Sequence, residues 1–144
     1  HGELLGYSEL EHLMVAAMAR YHRRGLPKKR HESWQLIEGR EEKRTVASLS
    51  LLLRLAAALD RRPEAVIERI SFKPEGPKGE PTGFVIKLRP RPLEPDQPAL
   101  DLSLECWSLR SCEAAVREAT GLALRVESSA ELSGAVRSAA TSRR

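Results

Sequence analysis

The chain has few of the residues on which disulfide-stapled, zinc-bound or aromatic-rich proteins depend. Its 144 residues include two cysteines, and only 4% of them are aromatic. The two thiols, Cys106 and Cys112, provide neither a disulfide framework nor four zinc ligands. We therefore expect reduced cysteines that fill apolar space in a cytosolic protein.

Long apolar runs are also missing. No run reaches the roughly 18 residues that a membrane-spanning helix needs, and no signal-peptide pattern opens the chain. With 41% apolar and 31% charged residues, the composition is that of a globular protein with a core. These features predict a cytoplasmic protein without a membrane segment. Because the first residue is His1 rather than Met, we expect the sequence to be part of a longer protein.

The motifs of a complete active site are absent as well. The sequence contains no glycine-rich phosphate loop, C-x-x-C, H-E-x-x-H or G-x-S-x-G. Its histidines are His1, His12, His22 and His31. None stands beside an Asp, and none is paired at the i, i+4 spacing of a helical metal site. We predict no catalytic residue and no metal ligand in this chain.

Positive charge is concentrated in one stretch of the chain. Residues 1–62 contain 12 basic and 8 acidic residues, whereas residues 63–144 contain 12 of each. Between Arg20 and His31 stand six Lys or Arg, two His and no acid. Such a group can bind adjacent phosphates, with Arg doing so bidentately, but it is also typical of a solvated charged turn. The candidate phosphate-binding residues are Arg20, His22, Arg23, Arg24, Lys28, Lys29, Arg30 and His31.

Residues 8–24 have the pattern of an amphipathic helix. Ser8 and Glu11 have the spacing of a capping box, and Gly25 and Pro27 mark the end of the helix. Its apolar stripe consists of Leu10, Leu13, Met14, Ala17, Met18 and Tyr21.

A second helix is predicted over residues 46–60, after a connector at 32–44 that can include a short helix. Thr45 is its predicted N-cap. Apolar residues cover nearly every face of this helix, which is typical of a central, buried position. Its one interior charge, Arg54, could serve a ligand, but a structural ion pair with Asp60 or Glu38 is the favoured expectation.

After residue 63 the apolar residues alternate, which predicts strands. The three expected strands centre on Val66–Phe72, Phe84–Leu88 and Leu100–Leu104. Seven of the nine prolines fall in residues 74–98 and exclude a helix there.

A short helix over 112–120, a strand at Leu122–Val126 and a mobile tail at 128–144 complete the prediction. The fold class is α+β, with a helical portion over 1–62 followed by a small β-β-β-α-β subdomain over 63–127.

Several stretches together carry a resemblance to a known family. They are Leu5–Ser8, Ala19–Arg24 with its R-Y-H-R motif, Pro27–Lys29 and the second helix over Leu51–Arg61. The order of strands, a short helix ending in Thr-Gly and a final strand agrees with them. In this combination the chain resembles, over residues 2–127, the C-terminal region of the exopolyphosphatase and guanosine pentaphosphate phosphohydrolase (Ppx/GppA) family.

The resemblance implies a phosphohydrolase that releases terminal phosphate from inorganic polyphosphate or pppGpp. In the family an actin-like N-terminal half carries the phosphate loops, a divalent metal such as Mg²⁺ and the catalytic carboxylates. A C-terminal half related to HD-type helical domains follows it. The present chain would then be an incomplete HD-like portion followed by the small α+β subdomain, with no cofactor of its own. The implied partners are polyphosphate or another polyanion, the N-terminal actin-like domains of the same protein, and a second copy in a homodimer.

The resemblance also gives the basic stretch a role, since the family's C-terminal region helps to hold long polyphosphate and contributes to dimer formation. Six residues match the family motif: Arg20, His22, Arg23, Arg24, Lys28 and Lys29. Arg30 and His31 extend it on charge alone. The alternatives are a purely structural dimerisation domain and a nucleic-acid-binding module, for which the few aromatic rings offer few stacking platforms. An independent HD-type phosphohydrolase is disfavoured, because the sequence has no His-Asp dyad.

Overall fold

The computed structural model describes residues 6–23, 25–92 and 100–129. The chain folds as two compact units, residues 1–56 and 57–144. The elements in chain order are α1 (Glu9–Tyr21), α2 (Glu32–Gln35), α3 (Arg40–Leu59), β1 (Ile67–Glu75), β2 (Gly83–Pro90), α4 (Ser103–Arg110), α5 (Glu113–Thr120) and β3 (Ala123–Ser128). The predicted division at residues 62 and 127 stays a prediction, and residues 130–144 of the predicted tail lie outside the described residues.

The capping box at the start of α1 is confirmed. The Ser8 hydroxyl accepts the Glu11 N–H at 3.3 Å, and Glu11 Oε2 accepts the Ser8 N–H at 2.7 Å. These hydrogen bonds from Ser8 lower the pKa of the Glu11 carboxyl. The helix ends at Tyr21, with His22 as its C-cap, and is therefore shorter than the predicted 8–24.

The first unit has a core to which both long helices contribute. Its buried members are Ala17, Tyr21, Ile37 and Val46. Packed against them, and partly buried, are Leu13, Met14, Met18 and Trp34. The predicted stripe is therefore the buried face of α1, although Leu10 at its start is 40% exposed.

The second helix differs from the prediction in both extent and burial. α3 begins at Arg40, so the charged run that was expected to be a connector forms its first turn, and Thr45 lies within the helix. Glu41 and Glu42 stand in that first turn, where carboxylates are favourable beside the positive end of the helix dipole. The expectation of burial on every face is also wrong. A stripe at i, i+3, i+4 and i+7 is exposed and comprises Leu49, Leu52, Leu53 and Ala56.

The second unit contains a mixed three-stranded sheet in the order β1-β2-β3. β1 and β2 pair antiparallel through the loop at 76–82, whereas β2 and β3 pair parallel. Both α4 and α5 pack on β3. Helices therefore precede and cross a sheet, and the predicted α+β class is confirmed.

The predicted third strand at Leu100–Leu104 is wrong, and the element order of this unit is β-β-α-α-β rather than β-β-β-α-β. Leu102, Cys106 and Leu109 are all buried, and their spacing of four and three residues is that of a helix. Three alternating leucines form too short a pattern to distinguish the repeat of a strand from that of a helix. A strand would place Leu104 on the same face as Leu102 and Cys106, but Leu104 is 37% exposed on α4.

The last two elements agree with the prediction. α5 ends at Gly121, whose φ of 75° is the left-handed conformation that glycine adopts without strain. β3 follows at once and places Leu124 and Val126 in the core. Cys112 and Cys106 are both buried, as expected of thiols that fill apolar space. Within the described ranges, no helix is both long enough and apolar enough to cross a bilayer.

Candidate functional site

The basic stretch forms the connection between α1 and α2. Arg20 stands in the last turn of α1, and Lys28 and Arg30 follow in the loop. All three side chains are exposed and line one cavity of about 300 Å³. The remaining lining residues are Tyr21, Gly25, Leu26 and His31. Among these described lining residues none is acidic, so the cavity is open to an anion.

The floor of this cavity is built on Tyr21, which is 1% exposed. Its ring stacks on that of His31, with the centroids 5.6 Å apart and the planes at 14°, and meets the edge of Trp34 at 6.2 Å. The Tyr21 hydroxyl lies 3.0 Å from the Ser33 hydroxyl. These contacts join the end of α1 to α2 and fix the span of the loop between them.

His31 holds the second half of the loop in place. Its Nδ1 accepts the Lys28 backbone N–H at 3.2 Å and lies 3.2 Å from the Tyr21 hydroxyl, while the backbone N–H of His31 donates to the Lys28 carbonyl at 2.9 Å. A nitrogen that accepts a backbone N–H carries no hydrogen, so the neutral ring has its hydrogen on Nε2. His31 therefore positions Lys28, besides being a predicted phosphate ligand.

Arg54 fixes the other end of the loop. From α3 its Nη2 donates to the Tyr21 carbonyl at 2.8 Å, and its Nε donates to the His22 carbonyl at 3.1 Å. Carbonyls at a helix C-terminus lack intrahelical donors, and a cation that binds them also complements the helix dipole. From the sequence, Arg54 was expected to form an ion pair, and its hydrogen bonds to these two carbonyls were not predicted.

The other predicted phosphate ligands are placed differently. Arg23 and Lys29 are exposed but do not line the cavity. His22 is half-buried, and its Nδ1 is buried without a hydrogen-bond partner in the described part of the chain. Arg24 lies outside the described residues. The structure thus brings together Arg20, Lys28, Arg30 and His31.

The arrangement of cations in this cavity suits anion binding. Arginine and lysine at an open cavity form charge-assisted hydrogen bonds to phosphate oxygens, and arginine can do so bidentately. Within the described ranges no group of three or more His, Cys, Asp or Glu is placed to hold a metal ion.

Comparison with known proteins gives one finding. Residues 1–96 match the family model described as Ppx/GppA phosphatase, domain III. That match spans both helices that carry the basic loop, as well as β1 and β2. No curated protein and no solved structure matches the chain.

Proposed function

Because the chain belongs to the Ppx/GppA phosphatase family through its domain III, we propose that it holds inorganic polyphosphate for an exopolyphosphatase-like hydrolase. The observation that carries the proposal is the acid-free cavity, into which the described loop presents three exposed cations. Arg20 comes from the end of a helix, and Lys28 and Arg30 come from a loop that two sets of hydrogen bonds hold in place. A chain of phosphates offers each of these cations an oxyanion.

A loop with fixed geometry supports binding better than a solvated charged turn does. Lys28 is held by His31, and the carbonyls of Tyr21 and His22 are held by Arg54. Cations that are already in place lose less conformational entropy when they engage a ligand. The proposal therefore assigns the cavity to phosphate binding.

The hydrolytic step belongs, in this proposal, to other domains of the parent protein. Actin-like N-terminal domains with a divalent metal such as Mg²⁺ would release the terminal phosphate of polyphosphate or pppGpp. The present chain would position the polymer and would be inactive alone. We propose that the parent protein is cytoplasmic, because the two thiols of this chain are free, as is usual for cytosolic proteins.

The test is a titration of the chain with long-chain polyphosphate at two salt concentrations. By analogy with single-stranded nucleic acids, three cations that each neutralise one phosphate give a slope of log K against log salt of about −2. Orthophosphate and single-stranded RNA are the comparison ligands. A slope near zero, absence of binding at low salt, or displacement of polyphosphate by RNA at equal phosphate would contradict the proposal.

A matched pair of variants separates the site from net charge. Lys28→Ala with Arg30→Ala removes two lining cations, whereas Arg40→Ala with Arg44→Ala removes two exposed cations from the first turns of α3. Affinity should fall for the first variant and stay close to that of the parent for the second. Equal losses would mean that the chain senses only total charge.

The exposed stripe of α3 favours a second function, self-association. Leu49, Leu52 and Leu53 are 40, 58 and 45% exposed on one face of the helix. We propose that this stripe supports a homodimer, because apolar surface of this kind is usually covered in an assembly. Sedimentation equilibrium of Leu52→Glu should show a weaker dimer than the parent chain. Val15→Glu on α1, at a position 37% exposed, is the control.

A further inference from the structure

The sheet of the second unit presents cations from all three strands on one face. The strand register places Lys87 opposite Ser71 and Glu127, and Arg69 opposite Arg89. The described cations of this face, which we call the basic sheet face, are Arg69, Lys73, Lys87, Arg89 and Arg125. The opposite face carries Ile86, Leu88 and Val126, which are buried. Residues 63–144 have equal numbers of basic and acidic residues, and folding places five of the basic ones on a single face of the sheet.

We propose that the basic sheet face is a second binding surface for inorganic phosphate chains. It lies in a different unit from the loop cavity and shares no residue with it. This proposal goes beyond the function proposed for the loop, and the two can be tested independently.

The carboxylates among these cations do not cancel their charge. Glu127 pairs with Lys87 at 3.0 Å and with Arg125 at 2.6 Å, and Glu68 pairs with Arg89 at 2.9 Å. Glu75 pairs with Arg125. Five cations thus meet three carboxylates, and the face retains an excess of positive charge. Arg69 makes no ion pair with any residue that the structure describes.

The register also places two like charges together. Arg69 and Arg89 are direct partners on adjacent antiparallel strands, where like charges destabilise a sheet. A bound oxyanion between the two guanidinium groups would relieve this repulsion, and it would supply a counterion for Arg69.

A small cavity of about 150 Å³ opens at this position. Its polar lining comprises Arg69, Ser71, Lys87, Arg89, Glu127 and Ser129. Guanidinium, ammonium and hydroxyl groups are all donors to phosphate oxygens. The one acid in this lining is Glu127. A hydrogen bond from Lys87 and the nearby charges of Arg125 and Lys73 lower its pKa, which favours its ionised form as the partner of these cations.

The chemistry of the face favours a phosphate chain without bases over a nucleic acid. Proteins that bind single strands combine cations with aromatic rings on which the bases stack. In the described sheet, both phenylalanines lie on the face opposite the cations, because Phe72 pairs with Ile86 and Phe84 pairs with Leu124; Phe72 is 62% exposed on that opposite face. The basic sheet face itself offers charge and hydroxyls, which suit a chain of bare phosphates.

The experiment uses the full chain with the loop site disabled by Arg20→Ala, Lys28→Ala and Arg30→Ala. Lysine acetylation followed by mass spectrometry reports the reactivity of Lys87, whose side chain is 44% exposed. Long-chain polyphosphate should protect Lys87 at low salt, and the protection should fade as salt rises. Orthophosphate and single-stranded RNA at equal phosphate should protect it much less. Lys78, exposed in the loop at 76–82, is the internal control.

A second measurement compares two triple variants in the parent background. Arg69→Ala, Lys87→Ala and Arg89→Ala remove cations that line the cavity, and the slope of log K against log salt should become less steep by about 2. Arg61→Ala, Lys78→Ala and Arg117→Ala remove the same charge from exposed positions outside the basic sheet face, and should leave the slope nearly unchanged.

The outcomes separate the two sites. Absence of Lys87 protection by polyphosphate, or equal effects of the two triple variants, would overturn the basic sheet face. Equal protection by RNA would overturn its assignment to bare phosphate chains. If protection persists while the loop variant binds as tightly as the parent chain, the sheet site stands and the loop proposal fails. Should the sheet variant not fold, the protection experiment in the loop variant decides the question.

Discussion

Arg125 on β3 donates from Nε to Glu75 Oε1 on β1 at 3.1 Å, across the intervening strand β2 and over a sequence separation of 50 residues. On β2, Gly83 pairs with Glu75 of β1 on one side and with Ala123 of β3 on the other. A Cβ at Gly83 would lie 2.8 Å from the Ala123 carbonyl oxygen. The hydrogen bond with Glu75 raises the pKa of the Arg125 guanidinium, so Arg125 is a firmly protonated donor in this contact between the two edge strands.

Acid should weaken the sheet through Glu127. The hydrogen bond from Lys87, together with the charges of Arg125 and Lys73, lowers the pKa of this carboxyl in the folded state. Its contribution to stability is therefore complete above the unfolded pKa of about 4.3 and is lost as pH falls through the lower folded value. Urea unfolding at a series of pH values should show a steeper acid loss in the parent chain than in Glu127→Gln. Parallel pH profiles would contradict this assignment.

Removal of Arg62 should destabilise the second unit. Arg62 Nε lies 3.0 Å from Glu105 Oε1, and the Glu105 side chain is fully buried. Beyond this ion pair, the Glu105 oxygens have no hydrogen-bond partner among the described residues, so Arg62→Ala leaves a buried carboxylate without its counterion. We expect a loss of about 3 kcal/mol in the free energy of unfolding, at the lower end for a broken buried pair because Arg62 is partly exposed.

The double variant Arg62→Met with Glu105→Met is the companion measurement. Since apolar side chains of similar size often replace a buried ion pair without loss, most of the stability should return. A double variant that is as unstable as Arg62→Ala would show that packing, rather than the unpaired charge, explains the effect.

Arg54→Ala should loosen the end of α1. The substitution leaves the Tyr21 and His22 carbonyls without their donor, which costs about 2 kcal/mol for a pair of hydrogen bonds to a charged group. Amide hydrogen exchange should speed up in the last turn of α1, and polyphosphate affinity should fall with it. Arg44→Ala, an exposed position on the same helix, should change neither quantity. Unchanged exchange in Arg54→Ala would contradict the positioning role.

Tyr21→Phe tests the hydroxyl beneath the loop while keeping the stacked ring. It removes the contacts with Ser33 and His31, so we expect a loss of about 1 kcal/mol in stability and weaker binding of polyphosphate. Ser33→Ala removes one of the two contacts and should have the smaller effect on binding. If Tyr21→Phe lowers stability without changing affinity, the hydroxyl supports the core and not the site.

Local signals in the sequence predicted local structure well. The Ser8–Glu11 capping box and the Gly121 stop are set by neighbouring residues, and both occur where they were expected. The first turn of α3 was missed because a charged run was interpreted as a connector, although its glutamates suit a helix N-terminus. The segment at Leu100–Leu104 was mistaken for a strand, since helical and strand periods coincide in so short a run.

The candidate site was predictable only in its charges. The cations between Arg20 and His31 are adjacent in sequence, so their clustering in one cavity follows from composition. Their positioning does not, because the carbonyls that Arg54 binds are 32 and 33 residues away. The basic sheet face leaves no trace in the sequence at all. The charges of residues 63–144 sum to zero, and only the strand register gathers five of the cations on one face of the sheet.

The mixed pairing of the sheet also sets an order of assembly. β1 and β2 are joined by a short loop and pair antiparallel, whereas β3 pairs parallel to β2 and reaches it only after α4 and α5. Local hairpins form in microseconds, and non-local parallel pairing is slower because a long loop must close first. We therefore expect β3 to dock late, so that Arg125 meets Glu75 after the main barrier to folding. Substitution of Arg125 should then accelerate unfolding in stopped-flow experiments while leaving the refolding rate almost unchanged.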